Sequence, residues 1–339
     1  MDRPLVSVLM PVFNGEKYLN TAIESILNQS YSHFEFLILD DGSTDQSITI
    51  VKSYRDSRIN HIISPQNCGI EKTLNKGLEL AQGEYIARMD CDDISYPNRL
   101  ERQLSYMEQH PDIGVLGASM QLLENRRKTG IRRWPSTDEE IKIHLLFQNP
   151  LSHPVVMMRK ESIAEFRYPE ECKYAEDYRF WTVLADHTNF ANLPDTLLHY
   201  RVHEAQITEK QAALSNTAAR AARQHYLKSR FENITDEELL VHHQLAERDR
   251  YIELKSAKLW IEKIAELNRA KGFFQQEKLV QVLAMIWWRC CRNNRTTGLG
   301  TWGIYRSSYL SRVPLDRPHH AMIYMLQWTL NYTRFNKRR

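Results

Sequence analysis

From residue 5 to about 119, short apolar runs of β-forming residues alternate with amphipathic stretches. That alternation asks for an α/β fold, a parallel sheet covered by helices on both faces. The runs predict strands over 6–12, 34–40, 59–63, 85–90 and 113–119. Between them, a helix over 18–29 repeats Leu19, Ile23, Ile26 and Leu27 at helical spacing, and a short helix follows Asp45. Gly69 opens a third helix, with Leu74, Leu78 and Ala81 on one face, which Gly83 stops. Pro97, a good first-turn residue, precedes a fourth that carries Leu100, Leu104 and Met107.

Past residue 120 the pattern loosens into a polar hairpin, a short helix near 138–147 and mixed elements, which should be antiparallel or irregular. From about 206 to 270 it is almost purely helical, with a capping box at Thr235 and Glu238. A chain of 339 residues exceeds the size at which one core usually keeps growing, so the expected division is 1–205 and a helical region, 206–339. The longest apolar stretch, 279–288, is about half the roughly twenty residues a membrane span needs. With its paired Trp287 and Trp288 and a flanking arginine it suits either a helix lying in a membrane interface or a core helix. Residues 322–339 repeat that recipe.

Charge changes the picture only through its distribution. The whole chain carries +3, but from Lys278 onward eleven basic residues face one acidic one, so that segment carries +10 and the rest −7. The five cysteines have no C-x-x-C spacing and suit a reducing compartment. The amino terminus has too short an apolar run for a signal peptide, so the expected location is cytoplasmic. Asn233 and Asn331 begin glycosylation sequons that would matter only outside the cytosol, and Thr235 reads better as a helix cap.

In open α/β sheets ligands gather beyond the carboxyl ends of the strands. Here those ends are acidic: Asp40-Asp41-Gly42-Ser43-Thr44-Asp45 after the second strand and Asp90-Cys91-Asp92-Asp93 after the fourth. Two such clusters at adjacent strand ends would repel unless something cationic or hydrogen-bond-donating lay between them, and a divalent metal with a nucleotide meets both needs. Mg²⁺ and Mn²⁺ prefer carboxylate oxygens and complete their shell with substrate phosphates.

The segments Val6-Ser-Val-Leu-Met-Pro-Val-Phe-Asn14, Leu39-Asp-Asp-Gly-Ser-Thr-Asp45, Asn67-x-Gly69 and Gly83-Glu-Tyr-Ile-Ala-Arg-Met-Asp-Cys-Asp-Asp93 together resemble the motifs of the inverting family-two glycosyltransferases. The resemblance covers roughly residues 5 to 205. It implies the GT-A fold, a Rossmann-like, mostly parallel sheet with helices on both faces, here followed by the helical region. It also implies that Asp41 accepts the N3 hydrogen of uracil or thymine, with Pro11 and Asn14 lining the pocket. Asp92 would be the principal metal ligand, Asp90 would lie near the ribose or the metal, and Arg88 would touch the nucleotide-sugar. A surface ion pair is the plainer role for Arg88.

Tyr174-Ala-Glu-Asp-Tyr-Arg-Phe-Trp181 resembles the family's Glu-Asp motif at the start of a helix, which implies Asp177 as catalytic base. Capping of that helix is the simpler reading of Glu176 and Asp177. The loop Asn149-Pro-Leu-Ser-His153-Pro154 resembles one that borders acceptor and donor phosphates, with His153 a contact. Tyr200-Arg-Val-His203 resembles a late motif that carries Arg201 toward the nucleotide and His203 to the metal or diphosphate. Cys91 is not expected to ligate a hard metal.

The implied reaction is one inverting displacement, dependent on Mn²⁺ or Mg²⁺, from a UDP- or dTDP-sugar to a glycan or lipid-linked glycan acceptor in surface polysaccharide synthesis. By charge, the basic end suits an anionic membrane surface, so a peripheral place at the inner face is expected. No nucleic-acid motif is present, and residues 209–270 offer a surface for a homodimer. Two other readings stay open. A sugar nucleotidyltransferase would carry a glycine-rich phosphate loop after the first strand, where this chain has Gly15 alone. A non-enzymatic, membrane-associated sugar-binding protein would not need intact acidic clusters.

Overall fold

The computed structural model describes residues 5–124, 127–203, 212–294 and 299–314. The chain forms two compact units that do not divide at one point. Residues 142–148 belong with the helical unit that resumes at Arg223, and the flanking segments up to Ile141 and from Asn149 to Ala222 form the sheet unit.

The sheet unit begins as its hydrophobic pattern predicts. β1 (Val6–Val12), β2 (Phe34–Asp40), β3 (Ile59–Ile63) and β4 (Tyr85–Arg88) run parallel in the order β3-β2-β1-β4. α1 (Leu19–Leu27), α2 (Ser47–Ser53) and α3 (Ile70–Leu80) supply the crossovers. β1 and β2 are buried on both faces, which is why they read as continuous apolar runs rather than alternating ones. Because β2 lies on one side of β1 and β4 on the other, the strand order reverses at β1, and a crevice opens between the carboxyl ends of β1 and β4. The acidic strand ends are thus separated by β1 rather than adjacent.

A second correction concerns the later half. β5 (Ile94–Ser95), β6 (Ile113–Glu124), β7 (Arg127–Arg132), β8 (Met157–Arg159) and β9 (Asn189–Val202) extend the sheet in the order β4-β8-β6-β9-β5, with β7 on the outer part of β6. β8, β7 and β5 pair antiparallel as expected, but the long β6–β9 pair is parallel from Ile113↔Asn189 to Glu124↔Val202. Strand direction depends on the connection, which apolar periodicity does not encode. Here the return passes through α5 (Asp138–Leu145), β8 and α6 (Glu176–Leu184).

α4 (Arg99–Gln109) carries a polar device as well as its apolar face. Arg99 is fully buried, and its guanidinium donates to the carbonyls of Arg88 (2.6 Å) and Val156 (3.3 Å) and to Gln103 Oε1 (3.0 Å). Burial, with Arg88 adding to it, pulls Arg99 down to about 9. The end of β4 is thereby pinned from below.

The helical unit is built on the end of α7 (Ala212–Arg230) from Arg223 onward and on α8 (Asp236–Glu247), α9 (Leu254–Lys271), α10 (Gln276–Asn293) and α11 (Leu299–Ser307). Thr235 and Glu238 form the expected capping box, and Gly272 ends α9 in the left-handed conformation. The run 279–288 lies in α10, where Leu279, Val282, Leu283, Ile286, Trp287 and Trp288 are buried. The paired tryptophans therefore serve the core of this unit rather than a membrane interface, and residues 322–339 lie outside the described residues. No helix among the described residues is long and apolar enough to cross a membrane.

Candidate active site

The crevice wall on the β1–β2 side is two loops laced together. After β1, Asn14 adopts the left-handed conformation (φ 52°), which places its Oδ1 to accept from Thr44 N (2.8 Å) while its own N donates to Ser43 Oγ (2.9 Å). Gly15 N donates to Ser47 Oγ (2.9 Å) and Glu16 N to Asp45 Oδ2 (3.0 Å). Asp41 is buried, and its oxygens accept the backbone amides of Cys68 (Oδ1, 2.9 Å) and Gly69 (Oδ2, 3.0 Å) and the Cys68 thiol (2.9 Å). Gly42 (φ 74°) makes that turn, and a Cβ there would lie 2.6 Å from the Gln66 carbonyl carbon. Asp41 and Asp45 are thus held by the chain's own N–H groups, while Asp40 accepts Ser43 N on Oδ1 (2.8 Å) and its buried Oδ2 has no partner among the described residues. Pro11 is buried in β1, two residues past the last β1–β4 pair, Leu9↔Arg88. Phe13, 48% exposed, stands between it and Asn14.

The fourth-strand acids are arranged differently. One oxygen from each of Asp90, Asp92 and Asp93 lies within 4.8 Å of the others. Asp90 ion-pairs with Arg88, which is 4% exposed, so the surface pair imagined for Arg88 is instead a buried one. Asp93 is fully buried; its Oδ1 accepts Arg201 N (2.8 Å), and its Oδ2 has no hydrogen-bond partner among the described residues. Burial, reinforced by Asp92 and Asp90, pushes the Asp93 carboxyl well above the usual carboxylate range, and Asp90 is raised for the same first reason. Cys91 is also raised by burial and by Asp92 and Asp90, which keeps its sulfur a thiol.

β9 closes the far side of this cluster because β5, directly after Asp93, pairs with it at Ile94↔His199 and Ser95↔Leu198. Arg201 Nε donates to the Asp92 carbonyl (2.7 Å), and His203 Nε2 lies 3.0 Å from Asp92 Oδ2. Tyr18 lies under both, its ring 4.3 Å from the Arg201 guanidinium and 4.8 Å from the His203 ring.

Asp177 sits in the first turn of α6. Its Oδ1 accepts Tyr178 N (2.6 Å) and its Oδ2 accepts Asn149 Nδ2 (2.7 Å). Burial raises Asp177, while the Tyr178 amide, Arg88 and Asn149 pull it back; the charge of Asp90 adds to the rise. Burial and then Asp177 bring Glu176 up to about 8. His153 is buried, pairs with Tyr168 Oη (2.9 Å) and packs edge-on to Trp181, and burial with Arg88 holds it well below the usual histidine range. It faces protein on those sides as a neutral ring.

The structure therefore gathers Arg88, Asp90, Asp92, Arg201 and His203 into one connected set and gives Asp41 and Asp177 separate anchors. Missed in the sequence were Asp93 as a third member, Asn149 as the partner of Asp177, and Tyr18 and Arg99 as supports. Asp93 carried a signal as the third acid of its run and Asn149 as the first residue of the loop leading to His153; Tyr18 and Arg99 are joined to the site by tertiary contacts alone.

Hard divalent ions match a cluster of carboxylate oxygens, and a buried carboxylate oxygen without a donor is a vacancy in hydrogen bonding that a cation would fill. The residues thus fit Mg²⁺ or Mn²⁺, with Asp92 and Asp90 or Asp93 as ligands.

The sequence profile described as Glycosyl transferase family 2 matches residues 7–166. An uncharacterized glycosyltransferase of Haemophilus influenzae is 33% identical over 245 residues, 68% of this chain and 74% of that protein. The O-antigen biosynthesis glycosyltransferase WbnJ of Escherichia coli is 33% identical over 233 residues, 67% of this chain and 90% of WbnJ. Among solved structures, S. aureus TarS 1-349 in complex with UDP-GlcNAc superposes with a TM-score of 0.58 at 21% identity, covering 89% of this chain and 90% of that one. The last likeness is one of fold.

Proposed function

This chain belongs to glycosyl transferase family 2, and from that premise we propose that it moves one sugar from a UDP- or dTDP-sugar to a hydroxyl of a glycan or lipid-linked glycan, by an in-line displacement that inverts the anomeric carbon. The observation that carries the reading is the triad Asp90, Asp92 and Asp93, with its unpartnered buried oxygen, at the carboxyl end of β4.

Asp41 keeps its carboxylate fixed on two amides, and Oδ2, with one donor, retains a lone pair for the N3–H of uracil or thymine. Pro11 and Asn14 shape that pocket, and the half-exposed ring of Phe13 offers the base an apolar face. Mg²⁺ or Mn²⁺, held by Asp92 with Asp90 or Asp93, would supply the charge that stabilises the departing diphosphate. Arg88 and Arg201 add fixed positive charge on the chain's side, Arg201 held flat over Tyr18. Asp177 takes the acceptor hydroxyl's proton as that oxygen attacks. Its support is its raised basicity and the two donors that orient it. His203 orients Asp92, and His153 forms the buried wall beneath α6.

The similarity to an O-antigen enzyme supports a surface polysaccharide as the product, and the +10 charge from Lys278 onward supports a peripheral, cytoplasmic-face location. The test is calorimetric titration of UDP and dTDP with Mn²⁺ into the full chain and into Asp92→Ala. Metal-dependent binding that the substitution abolishes is the expected result. Metal-independent binding, or binding unchanged by Asp92→Ala, overturns the metal-site assignment, and failure of both nucleotides overturns the pyrimidine pocket.

A further inference from the structure

Within the helical unit, two arginines line one small cleft whose single acid, Asp249, accepts its hydrogen bonds from neutral neighbours rather than from them. α8 ends at Glu247, and Arg248 caps it in the left-handed conformation (φ 59°), a place ordinarily given to glycine because a Cβ disfavours it. Arg289 of α10, with Cys290 and Asn293, faces Arg248 and Asp249 across the same small cleft, which is open to solvent. The acid nearest in sequence is already occupied. Asp249 Oδ1 accepts Tyr251 N (2.9 Å) and its Oδ2 accepts Gln244 Nε2 (3.1 Å). Neither the Arg248 nor the Arg289 guanidinium makes a hydrogen bond or ion pair among the described residues. Arg292, one turn past Arg289, adds a third cation and donates through Nε to Asn293 Oδ1 (3.2 Å).

Such a grouping is unfavourable as it stands. Burial, then Arg248 and Arg292, bring Arg289 down to about 10. The partial negative charge at the carboxyl ends of α8 and α10 makes the cations tolerable here, and with Arg248 exposed and Arg289 half-buried their N–H groups are left to solvent or a ligand. An anion with several oxygens would satisfy the donors and remove the repulsion together.

We propose that Arg248 and Arg289 form a phosphate-binding site on the helical unit, taking a phosphate monoester or diphosphate by paired guanidinium contacts. The site belongs to the helical unit and does not depend on the sugar-transfer reading. Two exposed apolar side chains are close in sequence to its residues: Met285, one turn before Arg289 on α10, is 45% exposed, and Tyr251, three residues after Arg248, is 72% exposed. A phosphate carried on a lipid could use them, while free phosphate meets the same arginines.

The full chain, in EDTA and at constant ionic strength, is titrated with inorganic pyrophosphate and sedimented with vesicles of equal parts phosphatidic acid and phosphatidylcholine. The variant carries Arg248→Gln and Arg289→Gln together, and UDP binding with Mn²⁺ serves as its control for an intact donor site. We expect pyrophosphate to bind the wild type and to bind the variant at least about tenfold more weakly, as loss of charged hydrogen bonds implies. Vesicle binding lost in the same variant assigns the site to a lipid phosphate; pyrophosphate binding without vesicle binding assigns it to a soluble one. Equal binding by wild type and variant, or no binding of either probe, overturns the proposal. Arg289→Met separates ligand binding from packing. Removing an unanswered cation should raise the thermal midpoint in phosphate-free buffer, and a fall would make Arg289 a packing residue and sink the site.

Discussion

If Asp177 is the base, the Asn149→Ala variant should lose activity in a way that depends on pH. Asn149 Nδ2 donates to Asp177 Oδ2 at 2.7 Å, a contact that favours the ionised carboxylate against the burial that raises it. A hydrogen bond to a charged group contributes about 1.5–3 kcal/mol. Asp177 is only partly buried, so the lower end applies. About 1.4 kcal/mol corresponds to tenfold in the ionised fraction. On the acid side of the profile kcat/KM should therefore fall about tenfold, and the loss should shrink as pH rises and the base ionises without help. Asn149 Oδ1 also accepts Leu151 N (3.1 Å), so a smaller loss common to all pH values is expected from the loosened loop. The assay is initial rates of nucleoside diphosphate release across pH with the donor that the calorimetry identifies. A loss of equal size at every pH would refute the argument, because Asn149 would then support the loop without tuning the base.

Three further outcomes follow from the same structure. Glu176, raised to about 8 by burial and Asp177, binds more protons folded than unfolded between about 4.5 and 8, so its contribution weakens the fold as pH rises through that window; Glu176→Gln should raise the melting temperature at pH 8 and leave it nearly unchanged near pH 5, and the reverse order would contradict the sign. His242 is fully buried, accepts Trp260 Nε1 on Nδ1 (3.1 Å) and bonds the Leu146 carbonyl through Nε2 (2.7 Å), with burial bringing it down to about 3. Its stabilising contribution is present above about 6.5 and is lost as pH falls toward 3, so His242→Leu should flatten the acid side of a stability profile while costing about 2–5 kcal/mol at pH 7 from two unpaired buried groups, read by urea unfolding. Gly42→Ala meets backbone at 2.6 Å and a positive φ, so it should cost more than about 1 kcal/mol and weaken UDP binding, and wild-type behaviour would show that the Asp41 turn can relax.

Much of the sheet unit was legible because its first strands are buried on both faces and its helices on one, and those two conditions write different periods into a sequence. The residues after β1, β2 and β4 were legible as a site for a related reason: fixed chain order puts them at one edge of a parallel sheet. The GT-A fold and family membership followed from short motifs in order. The arginine content of the helical unit could also be counted from the sequence, but not which arginines would meet.

Tertiary structure alone decided three things. It inserted β1 between the two acidic strand ends, and it answered Asp41 with the amides of Cys68 and Gly69 while leaving Asp93, like Asp40, with one buried oxygen unanswered. It made β9 a parallel partner of β6, and through β5 this brings Arg201 and His203 onto Asp92, more than a hundred residues away in sequence. It turned the Trp287–Trp288 pair inward, where sequence allowed a membrane surface equally well. Periodicity reports how deeply a residue is buried because burial acts on each side chain singly. It cannot report which strand, acid or arginine lies opposite, because that depends on where the rest of the chain returns.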